Sequence, residues 1–113
     1  MNKLEDFFKL LADETRLRVL HLLSYGPLCV CQLTGIMKEP QAKVSRHLSK
    51  LRDGKLVKTT RQEQFIEYRL ADDHALLMAL ISILHDYQND EYWKQDIQNL
   101  AFKDVFLNEC KHK

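Results

Sequence analysis

Cys29 and Cys31 are the residues of this sequence whose types and spacing most directly suggest chemistry. A deprotonated thiol is a soft ligand, which selects arsenite, antimonite, cadmium or lead over hard cations. Both cysteines fall near the start of a predicted helix, where the helix dipole favours a thiolate. The pair is therefore a candidate site for a thiophilic metal or metalloid. The alternative is that both are buried and act as small apolar groups.

The i, i+2 spacing of these cysteines restricts how they can bind one ion. In a regular helix, side chains two residues apart point about 200° away from each other. Binding of one ion by both sulfurs should therefore strain or unwind the first turn, and the strain would pass to the helix that follows. Oxidation of the two thiols is an alternative sensing chemistry, although cysteines two residues apart form a strained disulfide.

A second set of potential metal ligands consists of Asp72, His74, His85 and Gln88. A tetrahedral zinc site needs four good ligands, and glutamine is a poor one, so we do not expect a closed site here. In the simpler interpretation, Asp72 caps the following helix and the two histidines are ordinary polar residues.

Residues 29–53, which contain the cysteines, predict a helix, a turn and a second helix. Apolar residues at helical spacing give each helix one buried face, formed by Val30, Leu33 and Ile36 in the first and by Val44, Leu48 and Leu51 in the second. Pro40 suits the first turn of the second helix, and Gly54 is expected to be its left-handed stop. The opposite face offers cations, hydroxyl groups and a small alanine, which suits a helix that enters the major groove of DNA.

The predicted DNA-binding surface combines this outward face with the basic residues that follow it. It consists of Gln41, Ala42, Lys43, Ser45, Arg46, His47, Lys50, Lys58 and Arg61. The net charge of +1 by itself argues against DNA binding. However, residues 41–61 carry seven basic side chains, with Asp53 as their one acidic residue. Such a concentration of positive charge indicates binding to phosphates, with a solvated helix face as the alternative.

The remaining periodicity predicts further helices and a β-hairpin. Residues 56–60 and 65–70 are β-branched or aromatic runs with alternation, which predict a hairpin, or wing, over residues 56–70. A helix from residue 75 has one apolar face too broad for a small monomer, and a last helix to residue 111 has a bend near residues 99–103. We therefore expect residues 1–113 to form a single winged helix-turn-helix domain, mainly α with one hairpin, in which the helices of residues 1–11 and 75–111 supply the dimer faces and the C-terminal part.

Composition excludes several other classes of protein. No apolar run approaches the length of a membrane-spanning helix, and no basic-then-apolar leader is present, so we expect a cytoplasmic protein. The three cysteines are then expected to be reduced thiols. The sequence has no phosphate-binding glycine loop, nucleophile elbow or HExxH motif, so we do not expect an enzyme.

Several of these segments resemble the ArsR/SmtB family of bacterial metal-responsive repressors. Residues 44–57 resemble the family's recognition helix, residues 28–33 its arsenic-type metal box, residues 13–20 its second helix and residues 61–70 its wing. The resemblance covers nearly the whole chain up to about residue 88.

The resemblance implies a homodimeric repressor that binds double-stranded DNA at an imperfect palindromic operator. It implies release of that operator, with a role in arsenic resistance, when arsenite, antimonite or an organoarsenical binds Cys29 and Cys31; no further cofactor is required. Arsenic-type members often have another cysteine where Thr34 stands here, so Cys110 is the candidate third ligand. Zinc-type members share the positions of Asp72, His74 and His85, which gives a zinc sensor as one alternative and a redox- or sulfide-responsive thiol repressor as another.

Overall fold

The part of the chain that the structure describes contains seven helices and a small sheet. The computed structural model describes residues 3–86 and 91–111, apart from the side chains of Lys3, Tyr92, Cys110 and Lys111. The elements are α1 (Lys3–Leu11), α2 (Glu14–Leu23), β1 (Leu28–Cys29), α3 (Val30–Met37), α4 (Gln41–Asp53), β2 (Val57–Arg61), β3 (Ile66–Leu70), α5 (Ala75–Asp86), α6 (Glu91–Leu100) and α7 (Lys103–Lys111).

Helices α2, α3 and α4 enclose the centre of the core. Val44, Leu48 and Leu51 of α4 are fully buried, as the spacing of these residues predicted. They pack in one cluster with Leu33 and Ile36 of α3 and with the apolar face of α2. Asp13 caps α2, because its carboxylate accepts a hydrogen bond of 3.0 Å from the backbone N–H of Arg16.

The end of α4 differs from the prediction. Gly54 has a φ of −80°, and the left-handed conformation belongs to the next residue, Lys55, at φ 63°. A Cβ at position 54 would meet the end of the Leu10 side chain, which would have to move to make room for it. The small size of Gly54 thus allows α1 to pack closely against the end of α4.

The wing is part of a three-stranded antiparallel sheet with the order β1-β3-β2. The predicted hairpin is confirmed, with Val57 opposite Leu70 and Arg61 opposite Ile66. The short strand β1 was not predicted, because two residues are too few to show an alternation. It pairs with β3, which places Leu28 opposite Tyr68 and Cys29 opposite Glu67.

The C-terminal region forms two helices, since the predicted bend separates α6 from α7. Trp93 of α6 is buried. Val105 of α7 is half exposed, because the side of α7 that carries Phe106 packs on α3. Among the described residues, no helix has both the length and the apolar character needed to cross a membrane.

Candidate DNA-binding surface and sensor site

Helix α4 presents most of the predicted DNA-binding side chains to the solvent. Gln41, Ala42, Arg46 and Lys50 are exposed, while Lys43 and Ser45 are partly buried on the edges of the same face. Because the opposite face of α4 is anchored in the core, the orientation of this exposed face is fixed by packing. The amino-terminal half of α4 therefore offers an amide, a small side chain, a hydroxyl group and cations together.

His47 was predicted to lie on this outward face, and that placement is wrong. Its side chain is buried, with 6% of the residue exposed. Nη1 of Arg16 lies 3.2 Å from Nδ1 of His47, and the ring also lies 3.9 Å from the carboxylate of Asp13. Because an arginine has no acceptor, Nδ1 accepts this hydrogen bond and the ring is neutral. Burial lowers the pKa of His47, so the residue ties α4 to α2 as an uncharged side chain.

The wing adds two cations, Arg61 and Lys58, to the predicted surface. Arg61 is exposed at the end of β2. Lys58 forms an ion pair of 3.2 Å with Asp73, whose pKa is lowered by the hydrogen bond from this lysine. Part of the positive charge of Lys58 is therefore already balanced within the chain.

Cys29 occupies the junction between the sheet and α3. It is a free, buried cysteine with an extended backbone, at φ −92° and ψ 170°, and it is the N-cap residue of α3. Its backbone N–H donates a hydrogen bond of 3.0 Å to Oε1 of Gln32. Both cysteines were predicted to lie in one regular helix, whereas Cys29 precedes the first turn of α3 because it pairs with β3. Chelation by both sulfurs therefore need not unwind that turn.

Cys31 lies in the first turn of α3 and is disulfide-bonded. This differs from the expectation that all cysteines are reduced thiols. In this state Cys29 is the sulfur of the metal box that is available to a ligand. The side chain of Cys110, the predicted third ligand, lies outside the described residues.

A cavity of about 620 Å³ borders Cys29. The tip of the wing forms one wall, with Glu63 and Phe65, and α7 forms another, with Lys103 and Leu107. The wing tip thus directs Glu63 toward this cavity. Gln32 also lines the cavity and links α3 to α7, since its amide nitrogen donates a hydrogen bond of 3.2 Å to the backbone carbonyl of Lys103. A ligand at Cys29 would therefore lie at a cavity that residues of the wing, α3 and α7 line together.

The second set of predicted ligands has other roles in the structure. Nδ1 of His74 accepts a hydrogen bond of 3.2 Å from the backbone N–H of Leu77, so His74 rather than Asp72 caps α5. His85 lies with Nε2 2.8 Å from Oγ of Ser24. Gln88 lies outside the described residues. Within the described part of the chain, no group of three or more His, Cys, Asp or Glu side chains is arranged to hold a metal ion.

A cluster of aromatic side chains that the sequence did not indicate surrounds His21. This residue is fully buried, and its ring lies 4.4 Å from that of Trp93 and 5.7 Å from that of His85. Neither ring nitrogen has a hydrogen-bond partner among the described residues. Burial, with a smaller contribution from His85, lowers the pKa of His21 to about 4. A histidine at an apolar helical position was the one signal in the sequence for this cluster.

Sequence comparisons relate the chain to bacterial regulators. Residues 13–59 match the family described as "Bacterial regulatory protein, arsR family". The arsenical resistance operon repressor of Escherichia coli (strain K12) is 48% identical over 65 residues, which are 57% of this chain and 56% of that protein. The arsenic resistance transcriptional regulator ArsR1 of Pseudomonas putida is 45% identical over 100 residues, which are 83% of this chain and 74% of that protein. The match thus spans little more than half of the E. coli protein.

Solved structures agree with this relationship. Reduced HlyU from Vibrio cholerae N16961 superposes with a TM-score of 0.71 at 31% identity, over 78% of this chain and 90% of that chain. A homodimeric winged helix-turn-helix DNA-binding domain, Mb0332 from Mycobacterium bovis, gives a TM-score of 0.66 at 29% identity, over 78% of this chain and 82% of that one. The AntR antimony-specific transcriptional repressor gives 0.57 at 31% identity, over 74% and 78%. The predicted winged helix-turn-helix fold is therefore confirmed.

Proposed function

The chain belongs to the ArsR family of bacterial transcriptional regulators, and from this premise we propose that it represses transcription until a thiophilic metalloid releases it from its operator. The relatives are regulators with a DNA-binding fold, so the chain is a regulator and not an enzyme. The proposed setting is the bacterial cytoplasm, and the proposed DNA partner is a palindromic operator.

DNA binding is assigned to the exposed face of α4 together with Arg61 and Lys58 of the wing. Arg46 is the candidate for reading a base, because a guanidinium can donate two hydrogen bonds to the edge of guanine in the major groove. Lys50, Lys58 and Arg61 are candidates for phosphate contacts, which supply affinity but no sequence information. His47 is withdrawn from this set, since its side chain is buried against Arg16.

The proposed assembly is a homodimer formed through α1 and α5. Large apolar side chains remain exposed on both helices, and they are Leu4, Phe8, Leu76 and Ile83. An exposed apolar surface of this kind marks an interface with another chain. The homodimeric state of the Mycobacterium bovis domain supports the same arrangement. A two-fold dimer would place two copies of α4 about one helical turn of DNA apart, which suits a palindrome.

The proposed inducer is arsenite or antimonite, and the proposed site is Cys29 with Cys31. The position of Cys29 carries this proposal, because Cys29 pairs with a strand of the wing, is the N-cap residue of α3 and also borders the cavity. Relatives named for arsenical resistance and for antimony support the choice of a soft metalloid. When arsenite binds, each new As–S bond replaces an As–OH bond, and the hydroxide leaves with the thiol proton as water.

Release of DNA requires that the inducer bind the DNA-free conformation more tightly than the DNA-bound one. A metalloid on Cys29 would crowd the N-cap of α3 and the pairing of β1 with β3 at the same time. Both the wing and the helix that precedes α4 would then shift, and the DNA-bound geometry would be lost. A coupling free energy of about 1–3 kcal/mol is typical of allostery on this scale.

A thiol repressor that responds to oxidation or to sulfide is the second candidate function. The observation that favours it is the disulfide of Cys31, which leaves Cys29 as the available sulfur of the pair. That one of the similar structures is the reduced form of HlyU is consistent with a role for thiol oxidation. The zinc alternative has less support, because His74 is engaged in capping α5.

One titration distinguishes these functions. Fluorescence anisotropy of a labelled operator would follow release of DNA by fully reduced protein during additions of arsenite, antimonite, cadmium and zinc, and in parallel during oxidation and addition of sulfide. Release by arsenite or antimonite supports the main proposal. Release by oxidant or sulfide alone supports the second candidate, and release by zinc alone contradicts both.

A further inference from the structure

Arg18 of α2 connects three other parts of the chain through its guanidinium group. Nε and Nη2 donate hydrogen bonds of 2.8 Å and 2.7 Å to the two carboxylate oxygens of Asp96 in α6. Nη2 also donates to the backbone carbonyl of Met37 at 3.0 Å, and Nη1 donates to Oε1 of Glu39 at 3.3 Å. The side chains of Arg18 and Asp96 are 4% and 1% exposed, so this bidentate pair is shielded from water.

These contacts determine how α3 ends. The last carbonyl groups of a helix have no partners within the helix and must be satisfied from outside. The guanidinium of Arg18 donates a hydrogen bond to the backbone carbonyl of Met37, and the amide of Asn99 in α6 donates one of 2.9 Å to the carbonyl of Ile36. The next residue, Lys38, turns into the left-handed conformation at φ 55°. Helix α6 therefore helps to set the point at which the chain leaves α3 and enters α4.

Glu39 extends the network to the candidate DNA-binding surface. While Oε1 faces Arg18, Oε2 lies 3.1 Å from Nζ of Lys43. Lys43 stands at the start of α4, and its side chain is 37% exposed. The four side chains thus form a continuous series of opposite charges, which runs from the buried Asp96 to a cation on the surface.

We propose that Asp96 is a positioning residue for DNA binding, which acts through Arg18 and Glu39 to hold Lys43 in place. This inference rests on the proposed role of α4 in DNA binding. Asp96 balances the charge of Arg18, and this balance leaves one oxygen of Glu39 for Lys43. Without that carboxylate, Arg18 would be a buried cation that draws Glu39 toward itself. Lys43 would then lose its partner and have to be ordered at the moment of binding, which weakens the complex.

A double-mutant cycle tests the proposed connection. Asp96→Asn is measured for operator affinity in the parent protein and again in Lys43→Ala, with Glu109→Gln as a matched control that neutralises an exposed carboxylate of α7. We expect Asp96→Asn to weaken binding about tenfold in the parent and less than about twofold in Lys43→Ala, because coupled residues are not additive. The control should change affinity equally in the two backgrounds.

An equal loss in both backgrounds would show that Asp96 acts on the fold alone and would overturn the proposal, as would an unchanged affinity. If circular dichroism shows that Asp96→Asn does not fold, Glu39→Gln takes its place at the partly exposed link. Loss of the negative charge of Glu39 near the DNA phosphates changes the operator affinity of the parent and of Lys43→Ala by the same factor, so this general effect cancels in the cycle. If the effects of Glu39→Gln and Lys43→Ala on affinity are additive, the proposal is overturned. Arg46→Ala tests the DNA-binding assignment separately. If α4 binds DNA, Arg46→Ala lowers operator affinity whether or not Asp96 acts through Lys43.

Discussion

Cys29 lies directly opposite Glu67 in the antiparallel pairing of β1 with β3, and the next residue of the chain begins α3. The candidate sensor residue therefore belongs to the sheet of the wing as well as to the helix-turn-helix. Displacement of its backbone would alter a strand pairing and a helix cap in one step. This would give a ligand at a single cysteine two routes to the proposed DNA-binding surface.

Removal of either sulfur of the metal box should abolish induction and spare DNA binding. Cys29→Ser and Cys31→Ser are expected to bind the operator with normal affinity and to ignore arsenite, because neither side chain lies on the exposed face of α4. His85→Ala is the matched control and should respond to arsenite like the parent. Anisotropy titrations of reduced protein measure both properties, and an arsenite response retained in Cys29→Ser would move the site elsewhere.

Cys110→Ser decides whether a third sulfur contributes. If Cys110 supplies a ligand, its loss should weaken or remove the arsenite response while operator affinity is kept. If the response is unchanged, the site contains two protein thiolates, and water, a small thiol or an organic group completes the arsenic. The same anisotropy assay gives the answer, provided that the proteins are fully reduced before the titration.

Arg46 should contribute to specific binding, whereas the lysines should act through phosphate. Arg46→Ala is expected to weaken operator binding by about 1–3 kcal/mol if its guanidinium reads a base. Lys50→Ala should weaken binding to any DNA and reduce the dependence of affinity on salt. Lys94→Ala, on the exposed side of α6, removes a charge away from α4 and serves as the control. An unchanged operator affinity in Arg46→Ala would remove α4 from the proposed interface.

Gly35 of α3 should tolerate no side chain while Phe106 is present. A Cβ at position 35 would collide with the ring of Phe106 in α7. Gly35→Ala is therefore expected to destabilise the protein by about 1–3 kcal/mol, as overpacking of a close contact does. Phe106→Leu should recover part of the loss in the double variant. Urea denaturation measures these free energies of unfolding, and a neutral Gly35→Ala would contradict the close packing of α3 on α7.

His21 should make the protein less stable in mild acid. Burial lowers the pKa of His21 to about 4 from 6.5, so between these pH values the unfolded chain binds a proton that the folded protein excludes. The contribution of neutral His21 to the free energy of unfolding is intact above pH 6.5. It is lost as the pH falls toward 4, and the loss amounts to at most about 3 kcal/mol. Urea denaturation over this range should show a smaller acid loss for His21→Leu than for the parent. An identical pH dependence in the two proteins would contradict the assignment.

The exposed apolar side chains of α1 and α5 should be needed for dimerisation. Each of the variants Phe8→Asp and Ile83→Asp places a negative charge on the proposed interface. A dimer would bury this charge without an opposite charge from the partner subunit, which is costly. Both variants are therefore expected to be monomers at micromolar concentration. Phe102→Asp, in the turn just before α7, is a control that charges another exposed aromatic position. Sedimentation velocity distinguishes the states, and a parent protein that is monomeric at the same concentration would exclude the dimer.

Patterns within short stretches of the sequence were sufficient to predict most of the helices and the hairpin of the wing. The spacing of Val44, Leu48 and Leu51 places these residues on one side of any regular helix, and all are buried. The cap at Asp13 was likewise predictable, because its partner, Arg16, lies one turn away. The cysteines of the metal box and the cluster of basic residues are also properties of the sequence alone.

Tertiary structure decided the features that depend on residues far apart in the chain. Pairing with β3 draws Cys29 out of α3, and the contact with Arg16 buries His47, which periodicity places only at the edge of the buried stripe of α4. Asp96 and Arg18 are 78 positions apart, and neither pattern nor composition indicates their pairing. The physical reason is that helix periodicity depends on neighbours within one turn, whereas strand pairing and buried ion pairs depend on which surfaces meet when the elements pack.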